Sequence, residues 1–157
     1  MDIHFKVATT QDCTIIAEMV VQLTTEICRT TNAKHFNIDV KSTRERCRDL
    51  LEDGHYFAII GTLNHQPVAV ATMTETYALY AGGKIGVIQE FYVSNELRSQ
   101  QVGALLIGQV KDFGRKRDWT CIELCTPPLP EFERTLSFYQ RNGLTPVGGR
   151  KMRQSLI

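Results

Sequence analysis

Residues 87–116 read VIQEFYVSNELRSQQVGALLIGQVKDFGRK, a stretch that begins as an apolar strand, passes through a polar turn and continues as an amphipathic helix. The first N–H groups of a helix have no partner inside it, and the aligned peptide dipoles add partial positive charge at that end. Such a turn can stabilise a phosphate with its backbone alone. The residues that form it are Arg98, Ser99, Gln100, Gln101, Val102, Gly103 and Ala104.

Length and charge favour one ordinary domain. The chain has 157 residues, 43% of them hydrophobic, so we expect a single domain over residues 1–157. The 18 basic and 17 acidic residues leave a net charge of +1 and are mixed along the chain. That balance argues against the electropositive face that duplex nucleic acid requires, and no nucleic-acid partner is expected.

The cysteines and histidines form no pattern typical of a metal site or a disulfide framework. The five cysteines are odd in number and form no CxxC pair, which favours a reducing cytoplasm. The four histidines lack HxxxH spacing, so no metal is expected. No segment has the length of a signal peptide or of a membrane span, which indicates a soluble cytoplasmic protein with no membrane partner. Cys121 and Cys125 are expected to be buried on a strand, as small hydrophobes.

Hydrophobic periodicity predicts strands and helices in alternation. Thr9 or Thr10 is expected to open the first helix, and Ser42-Thr-Arg-Glu45 is a capping-box pattern that predicts a second helix near residue 43. A helix between the strands at 84–93 and 119–126 implies a parallel crossover, and therefore a mixed sheet. The predicted strands lie at 2–8, 55–61, 68–79, 84–93, 119–126 and 144–155, and the later helices at 105–116 and 131–142.

This order of elements, together with two short motifs, resembles the GNAT superfamily of N-acetyltransferases over essentially the whole chain. The family's R/Q-x-x-G-x-G/A signature maps onto Arg98-Ser-Gln-Gln-Val-Gly103, and Phe138-Tyr-Gln-Arg-Asn-Gly-Leu144 is similar to its F-Y-x-x-x-G-F ending of the last helix. The resemblance implies an α/β fold in which a mixed central sheet of about six to seven strands is flanked by about four helices. It also implies an N-acetyltransferase that uses acetyl-CoA as cosubstrate.

Two positions depart from the family pattern. Gln101 replaces the first glycine of the signature, where glycine permits a close backbone approach and positive φ. A left-handed Gln101 would carry a strain of about 1–2 kcal/mol, and about 1.4 kcal/mol corresponds to tenfold in affinity. Phe132 stands where many members carry a cofactor-binding asparagine, so that contact is expected to be missing.

Acetyl transfer to an amine needs a group that accepts a proton. An amine resembling lysine is mostly protonated at pH 7, which disfavours its reactive form by about 4.6 kcal/mol. Glu90 on the fourth strand is the leading candidate base, directly or through water, and Glu75 on the preceding strand is the second. The alternative for each is a carboxylate exposed at a strand edge or paired with a base.

The leaving thiolate of coenzyme A needs a proton in turn. The resemblance implies that Tyr139 is the acid, since its position matches the family motif; its alternative role is helix packing. The backbone of Phe91 and Val93 is expected to pair with pantetheine like an added strand, and the N–H groups from Gln100 to Ala104 to hold the pyrophosphate. Arg98 either adds positive charge there or is an ordinary surface arginine.

The fold does not fix the acceptor. A small free amine is preferred to a protein because the chain lacks an acidic tract for docking a basic peptide, and His35 and Phe36 are candidate acceptor contacts. A homodimer is common in the resembling family. The rival interpretation is a non-catalytic acyl-CoA-binding or interaction module with the same fold, which Gln101 and Phe132 keep open.

Overall fold

A computed structural model describes residues 2–32, 38–98 and 100–157. Three candidate site residues, His35, Phe36 and Ser99, lie outside the described residues. The described chain forms two compact units, the first ending at Leu124 and the second running from Cys125 to Ile157. The elements in chain order are β1 (Ile3–Val7), α1 (Cys13–Thr31), α2 (Val40–Glu52), β2 (Phe57–Leu63), β3 (Gln66–Ala78), β4 (Gly83–Val93), α3 (Val102–Lys116), β5 (Cys121–Glu123) and α4 (Glu133–Arg141).

The first unit is built on a sheet of five described strands in the order β1-β2-β3-β4-β5. The first four strands pair antiparallel, whereas β5 runs parallel to β4 after the α3 crossover, as the sequence predicts. Asn64 and His65 connect β2 to β3 with φ of 50° and 64°, the left-handed values that a two-residue hairpin turn requires. The mixed sheet is therefore confirmed, with fewer described strands than predicted.

Helices pack on both faces of this sheet. Side chains from α1 and α2 form one core with alternate residues of the strands, among them Ala58, Ile60, Val70 and Tyr92. On the other face Phe57 of β2 contacts Phe113 of α3, with ring centroids 5.5 Å apart. Because side chains alternate between the two faces along a strand, residue parity decides which helices each side chain meets.

A β-bulge in β4 changes that parity midway. Thr72 of β3 pairs with Glu90, but the next residue, Met73, pairs with Ile88, so Gln89 is an extra residue in β4. Before the bulge Gly86 lies on the α3 face, opposite Glu75; after it Tyr92 lies on the face of α1 and α2. The bulge thus turns Glu90 to the face of α1 and α2.

Two helix starts differ in detail from the sequence prediction. Thr9 caps a short 3₁₀ turn that leads into α1, and its capping box is completed by Asp12. The second helix begins earlier than Ser42: Asp39 is its N-cap and accepts a hydrogen bond of 2.8 Å from the N–H of Ser42. The capping box predicted from Ser42 to Glu45 is therefore wrong, because Asp39 caps the helix three residues upstream and Ser42 lies within its first turn.

The strand predicted at 144–155 is absent from the described second unit. Residues after Leu144 form neither strand nor helix, and Gly148 and Gly149 take φ of 92° and 84°. Consecutive left-handed glycines break the alternation that a strand needs. Two apolar residues of the predicted strand, Val147 and Met152, are exposed, as are Leu156 and Ile157 after it.

The burial predicted for Cys121 and Cys125 is also wrong. Only Cys121–Glu123 pairs with β4, so the predicted strand at 119–126 is much shorter, and both cysteines are exposed. A continuous apolar run indicates a buried strand only when both of its faces are covered.

Candidate active site

The turn before α3 has the left-handed backbone that its sequence position implies. Gln101 takes φ 67° and ψ 5° directly before Val102, the first residue of α3, and its carbonyl accepts a hydrogen bond of 3.0 Å from Leu105. The N–H groups of Val102, Gly103 and Ala104 belong to the first helical turn, where no intrahelical acceptor exists. This turn can therefore direct backbone donors at an anion.

Arg98 is engaged with the protein on several sides. Its guanidinium donates to the Val93 carbonyl at 2.9 Å, to Asn95 Oδ1 at 3.3 Å and to Glu26 Oε2 at 2.8 Å. It also lies 5.6 Å from the centre of the Tyr92 ring. The side chain thus fixes the turn between β4 and α3 against α1.

The backbone of β4 presents Phe91 and Val93 to the edge away from β3. Ser94 N–H donates to Val68 O at 2.8 Å, and hydrogen-bonded pairs alternate along an antiparallel ladder. By that alternation Tyr92 bonds toward β3, whereas Phe91 and Val93 point their backbone groups to the opposite edge. The described pairing of β5 with β4 ends at Val87, so it does not extend to these residues.

Glu90 sits in a small polar cluster on the face of α1 and α2. Its N–H donates to Thr72 Oγ1 at 3.0 Å, and the Tyr56 hydroxyl lies 3.5 and 3.4 Å from its two carboxylate oxygens. Burial raises the pKa of the Glu90 carboxyl, and the hydrogen bonds from Thr72 and Tyr56 oppose that rise. Glu90 therefore holds a proton more readily than an exposed carboxylate does. Burial, Cys13 and Glu90 also raise the pKa of the neighbouring Cys47 thiol to about 11.

Glu75 lies on the opposite face, in a network with residues after α3. Its carboxylate accepts hydrogen bonds from Arg117 Nε and Nη2 at 2.6 and 2.8 Å and from Trp119 Nε1 at 2.6 Å, while Lys84 Nζ lies 3.6 Å away. The Arg117 and Trp119 hydrogen bonds, with the nearby positive charges, lower the pKa of Glu75 to about 2 against the effect of burial. So acidic a group is a weak base.

Tyr139 belongs to α4 in the second unit. Its ring packs edge-on against Phe138, with centroids 5.1 Å apart, and its side chain is buried. Burial raises the pKa of its hydroxyl, so the phenol stays protonated throughout the physiological range. Phe132 occupies the N-cap position of the same helix.

Sequence reasoning missed three residues that shape these clusters: Tyr56, Arg117 and Trp119. Tyr56 stands at the end of a polar turn and belongs to no motif, whereas Arg117 sits in the basic run Arg115-Lys-Arg117, which is typical of a solvated helix end. Gly86 and Gly114 were the sequence signal that a large side chain packs closely against β4 and α3. The Trp119 ring fills the space that a Cβ would take at both glycines.

Residues 2–32, 38–98 and 100–157 contain no group of His, Cys, Asp or Glu that could hold a metal ion. No helix there is long and apolar enough to cross a membrane.

Comparison with known proteins matches the chain to one family. The model of the acetyltransferase (GNAT) family matches residues 17–144. Among curated proteins, no sequence matches the chain.

Solved structures agree with that match at the level of the fold. A ribosomal-protein-alanine N-acetyltransferase from Brucella melitensis biovar Abortus 2308 superposes with a TM-score of 0.74 at 16% identity, covering 98% of this chain and 100% of its own. A predicted acetyltransferase from Clostridium acetobutylicum, solved with acetyl-CoA, gives 0.78 at 14% identity over 98% and 96%. An aminoglycoside acetyltransferase from an uncultured soil metagenomic sample, in complex with sisomicin, gives 0.72 at 14% over 99% and 95%.

Proposed function

Because the chain belongs to the acetyltransferase (GNAT) family, we propose that it moves an acetyl group from acetyl-CoA to a primary amine of a small molecule. The observation that carries this proposal is the Glu90 carboxylate: it is partly buried, its pKa is raised, and it lies on the strand that leads into the left-handed turn before α3. Acetyl transfer from acetyl-CoA to an amine needs a base and a site that binds the cofactor. One continuous segment of the chain supplies a candidate for each.

Glu90 is the proposed general base. An amine acceptor must lose a proton to attack the thioester, and a carboxylate with a raised pKa takes that proton more readily than one at the ordinary value. Transfer proceeds directly or through one water. Glu75 is not assigned this step, because Arg117 and Trp119 already occupy its carboxylate oxygens.

The turn before α3 is the proposed pyrophosphate site. The Gln100 N–H already donates to the Leu97 carbonyl at 3.3 Å, so the N–H groups from Gln101 to Ala104 and the positive end of the α3 dipole are proposed to supply the binding. The left-handed Gln101 turns the backbone toward the first residue of α3. Phe91 and Val93 are proposed to pair their backbone with the amides of pantetheine at the outer edge of β4. Arg98 supports the site by holding the turn, with its charge paired to Glu26.

Tyr139 is the proposed acid that returns a proton to the departing thiolate. Its motif position supports the role, and its raised pKa keeps the proton on the hydroxyl until the thiolate leaves. The ordinary offset between a phenol and a thiol costs about 2 kcal/mol, and burial adds to it.

A small-molecule acceptor is supported by the aminoglycoside acetyltransferase that shares the fold and was solved with sisomicin. The ribosomal-protein-alanine N-acetyltransferase with the same fold makes a protein amine the competing choice. The second candidate function is a non-catalytic acyl-CoA-binding module, which Gln101 in a glycine position and Phe132 at the start of α4 favour.

The test has two stages. Calorimetry with acetyl-CoA comes first, and we expect saturable binding; no binding at millimolar cofactor would contradict the proposal and its alternative alike. A panel of small amines and basic peptides is then screened for release of free coenzyme A thiol. Acceptor-dependent release that Glu90→Gln abolishes supports the enzyme, whereas cofactor binding without release for any acceptor supports the binding module.

A further inference from the structure

Tyr56, in the connection between α2 and β2, faces both oxygens of the Glu90 carboxylate. We propose that Tyr56 is a positioning residue whose hydroxyl donates to the Glu90 carboxylate and fixes its orientation. The inference rests on the proposed role of Glu90 as base. It adds a residue that no motif in the sequence marks.

The hydroxyl lies almost equally far from both carboxylate oxygens, at 3.5 Å from Oε1 and 3.4 Å from Oε2. A single O–H group is therefore shared between two acceptors. These distances are long for an O–H···O bond, and such contacts tighten when a catalytic group takes up its working position. Because the hydroxyl contacts both carboxylate oxygens, it restrains rotation of the Glu90 carboxylate about its Cγ–Cδ bond.

The backbone of Tyr56 is held firmly enough to aim this hydroxyl. The N–H groups of His55 and Tyr56 both donate to the carbonyl of Leu50, at 2.9 and 3.2 Å, which ties the connection to the last turn of α2. Phe57, the next residue, begins β2 opposite Met73. Tyr56 is thus clamped between a helix end and a strand start.

Few other groups near Glu90 could orient its carboxylate. Thr72 comes from β3, Cys47 from α2, and Cys13 of α1 acts on Cys47 in turn. Among the described groups that act on the Glu90 charge, Thr72 and Tyr56 favour the ionised form, and none is a lysine or an arginine. Burial and the Glu90 charge raise the pKa of the Tyr56 hydroxyl, so it remains a donor at neutral pH.

Removal of this donor has a definite sign. The Tyr56 hydrogen bond stabilises ionised Glu90, so Tyr56→Phe should raise the pKa of Glu90. A hydrogen bond to a charged group corresponds to a rise of about one pH unit in the titration midpoint. More of the base would then be protonated near neutral pH.

The experiment is a ¹³C NMR titration of the protein labelled at glutamate side-chain carboxyl carbons, with Glu90→Gln used to assign the Glu90 signal. Tyr56→Phe should move its midpoint upward by about one pH unit. Tyr77→Phe is the matched control, since Tyr77 is 77% exposed on β3, and it should leave the midpoint unchanged. An unchanged or lowered midpoint in folded Tyr56→Phe overturns the proposal.

A second variant covers the case in which Tyr56→Phe does not fold. Site-specific 3-fluorotyrosine at position 56 keeps the ring and strengthens the donor, so the Glu90 midpoint should move downward; a midpoint that stays in place overturns the proposal. Kinetics then separate the two claims. A shifted midpoint with about tenfold lower kcat/KM supports both, whereas a shifted midpoint with full activity in Glu90→Gln supports the positioning and contradicts the base.

Discussion

Arg98 Nη2 donates to Glu26 Oε2 at 2.8 Å, which joins the turn before α3 to the C-terminal part of α1. The other guanidinium nitrogens donate to the carbonyl of Val93, the last residue of β4, and to Asn95 Oδ1 in the connection that follows it. The arginine in the first position of the signature thus holds the backbone of the turn before α3 in place through its hydrogen bonds. The charge is already paired before any phosphate arrives.

Glu26→Gln should weaken acetyl-CoA binding by a factor of about two to five. The two side chains are 41% and 32% exposed, and ion pairs of this kind contribute about 0.2–1 kcal/mol. Without the pair the turn before α3 is less well held. Calorimetry measures the change, with Glu18→Gln on the exposed side of α1 as control. Tighter binding by Glu26→Gln would show instead that Arg98 is held back from the phosphate.

Gln101→Gly should stabilise the fold without changing cofactor affinity. Gln101 has φ 67° in the folded chain, so its strain of about 1–2 kcal/mol is a cost of folding. The greater freedom of glycine in the unfolded chain offsets about 0.4–1 kcal/mol of the gain. We expect the free energy of unfolding to rise by up to about 1.6 kcal/mol.

The matched control for this variant is Gln100→Gly. Gln100 is not among the residues with positive φ, so glycine relieves no strain there and the protein should lose stability. Denaturant unfolding gives the stabilities and calorimetry the acetyl-CoA affinities. A tenfold gain in affinity from Gln101→Gly would mean that the side chain itself obstructs the phosphate.

Glu75→Gln should remove a pH-dependent part of the stability. The pKa of Glu75 is about 2 in the folded protein against an ordinary value of 4.5, so its contribution is complete above pH 4.5 and disappears as the pH falls toward 2. That difference is worth up to about 3 kcal/mol for a side chain that is 15% exposed. Urea unfolding from pH 7 to 2 should show a flatter profile for Glu75→Gln than for Glu45→Gln, an exposed control on α2. Parallel profiles would contradict the network's role.

Two glycine substitutions should act in opposite directions. A Cβ at Gly86 would collide with the Trp119 ring, so Gly86→Ala should cost about 1–3 kcal/mol. Gly108, in the middle of α3, has nothing within 4 Å of its Cβ position, and Gly108→Ala should add up to about 1 kcal/mol through helix propensity. Thermal unfolding compares the two, and a stable Gly86→Ala protein would show that Trp119 can move aside.

Tyr139→Phe should lower turnover by at least tenfold while acetyl-CoA binding persists. The substitution removes the proposed proton donor and keeps the ring that packs on Phe138. The assay must be limited by chemistry, with Tyr80→Phe, 82% exposed, as the matched control. Unchanged turnover removes the proposed acid, and a parallel fall in stability and binding assigns Tyr139 to packing.

The sequence predicted the parts of the fold that local signals determine. The β4–turn–α3 stretch and the strands of the β2–β3 pair follow from periodicity, and the glycine position that Gln101 occupies in the signature indicated the left-handed backbone found there. Tyr56, Arg117 and Trp119 could not be assigned, because their roles depend on partners 34, 42 and 44 residues away. The strand at 144–155 failed for a related reason: alternation indicates a strand, but only a partner edge makes one.

Because of the bulge at Gln89, the face of the sheet on which Glu90 lies depends on the number of residues that precede it in β4. A glutamate at position 90 could not act as the proposed base if that number changed. Gly86 and Ile88 lie on the α3 face, and unbroken alternation would have put the Glu90 carboxylate on that face as well, the face that carries Glu75 and Arg117. A single-residue insertion thus places the two carboxylates on opposite faces of the sheet. Redesign of this strand has to preserve its length before its chemistry.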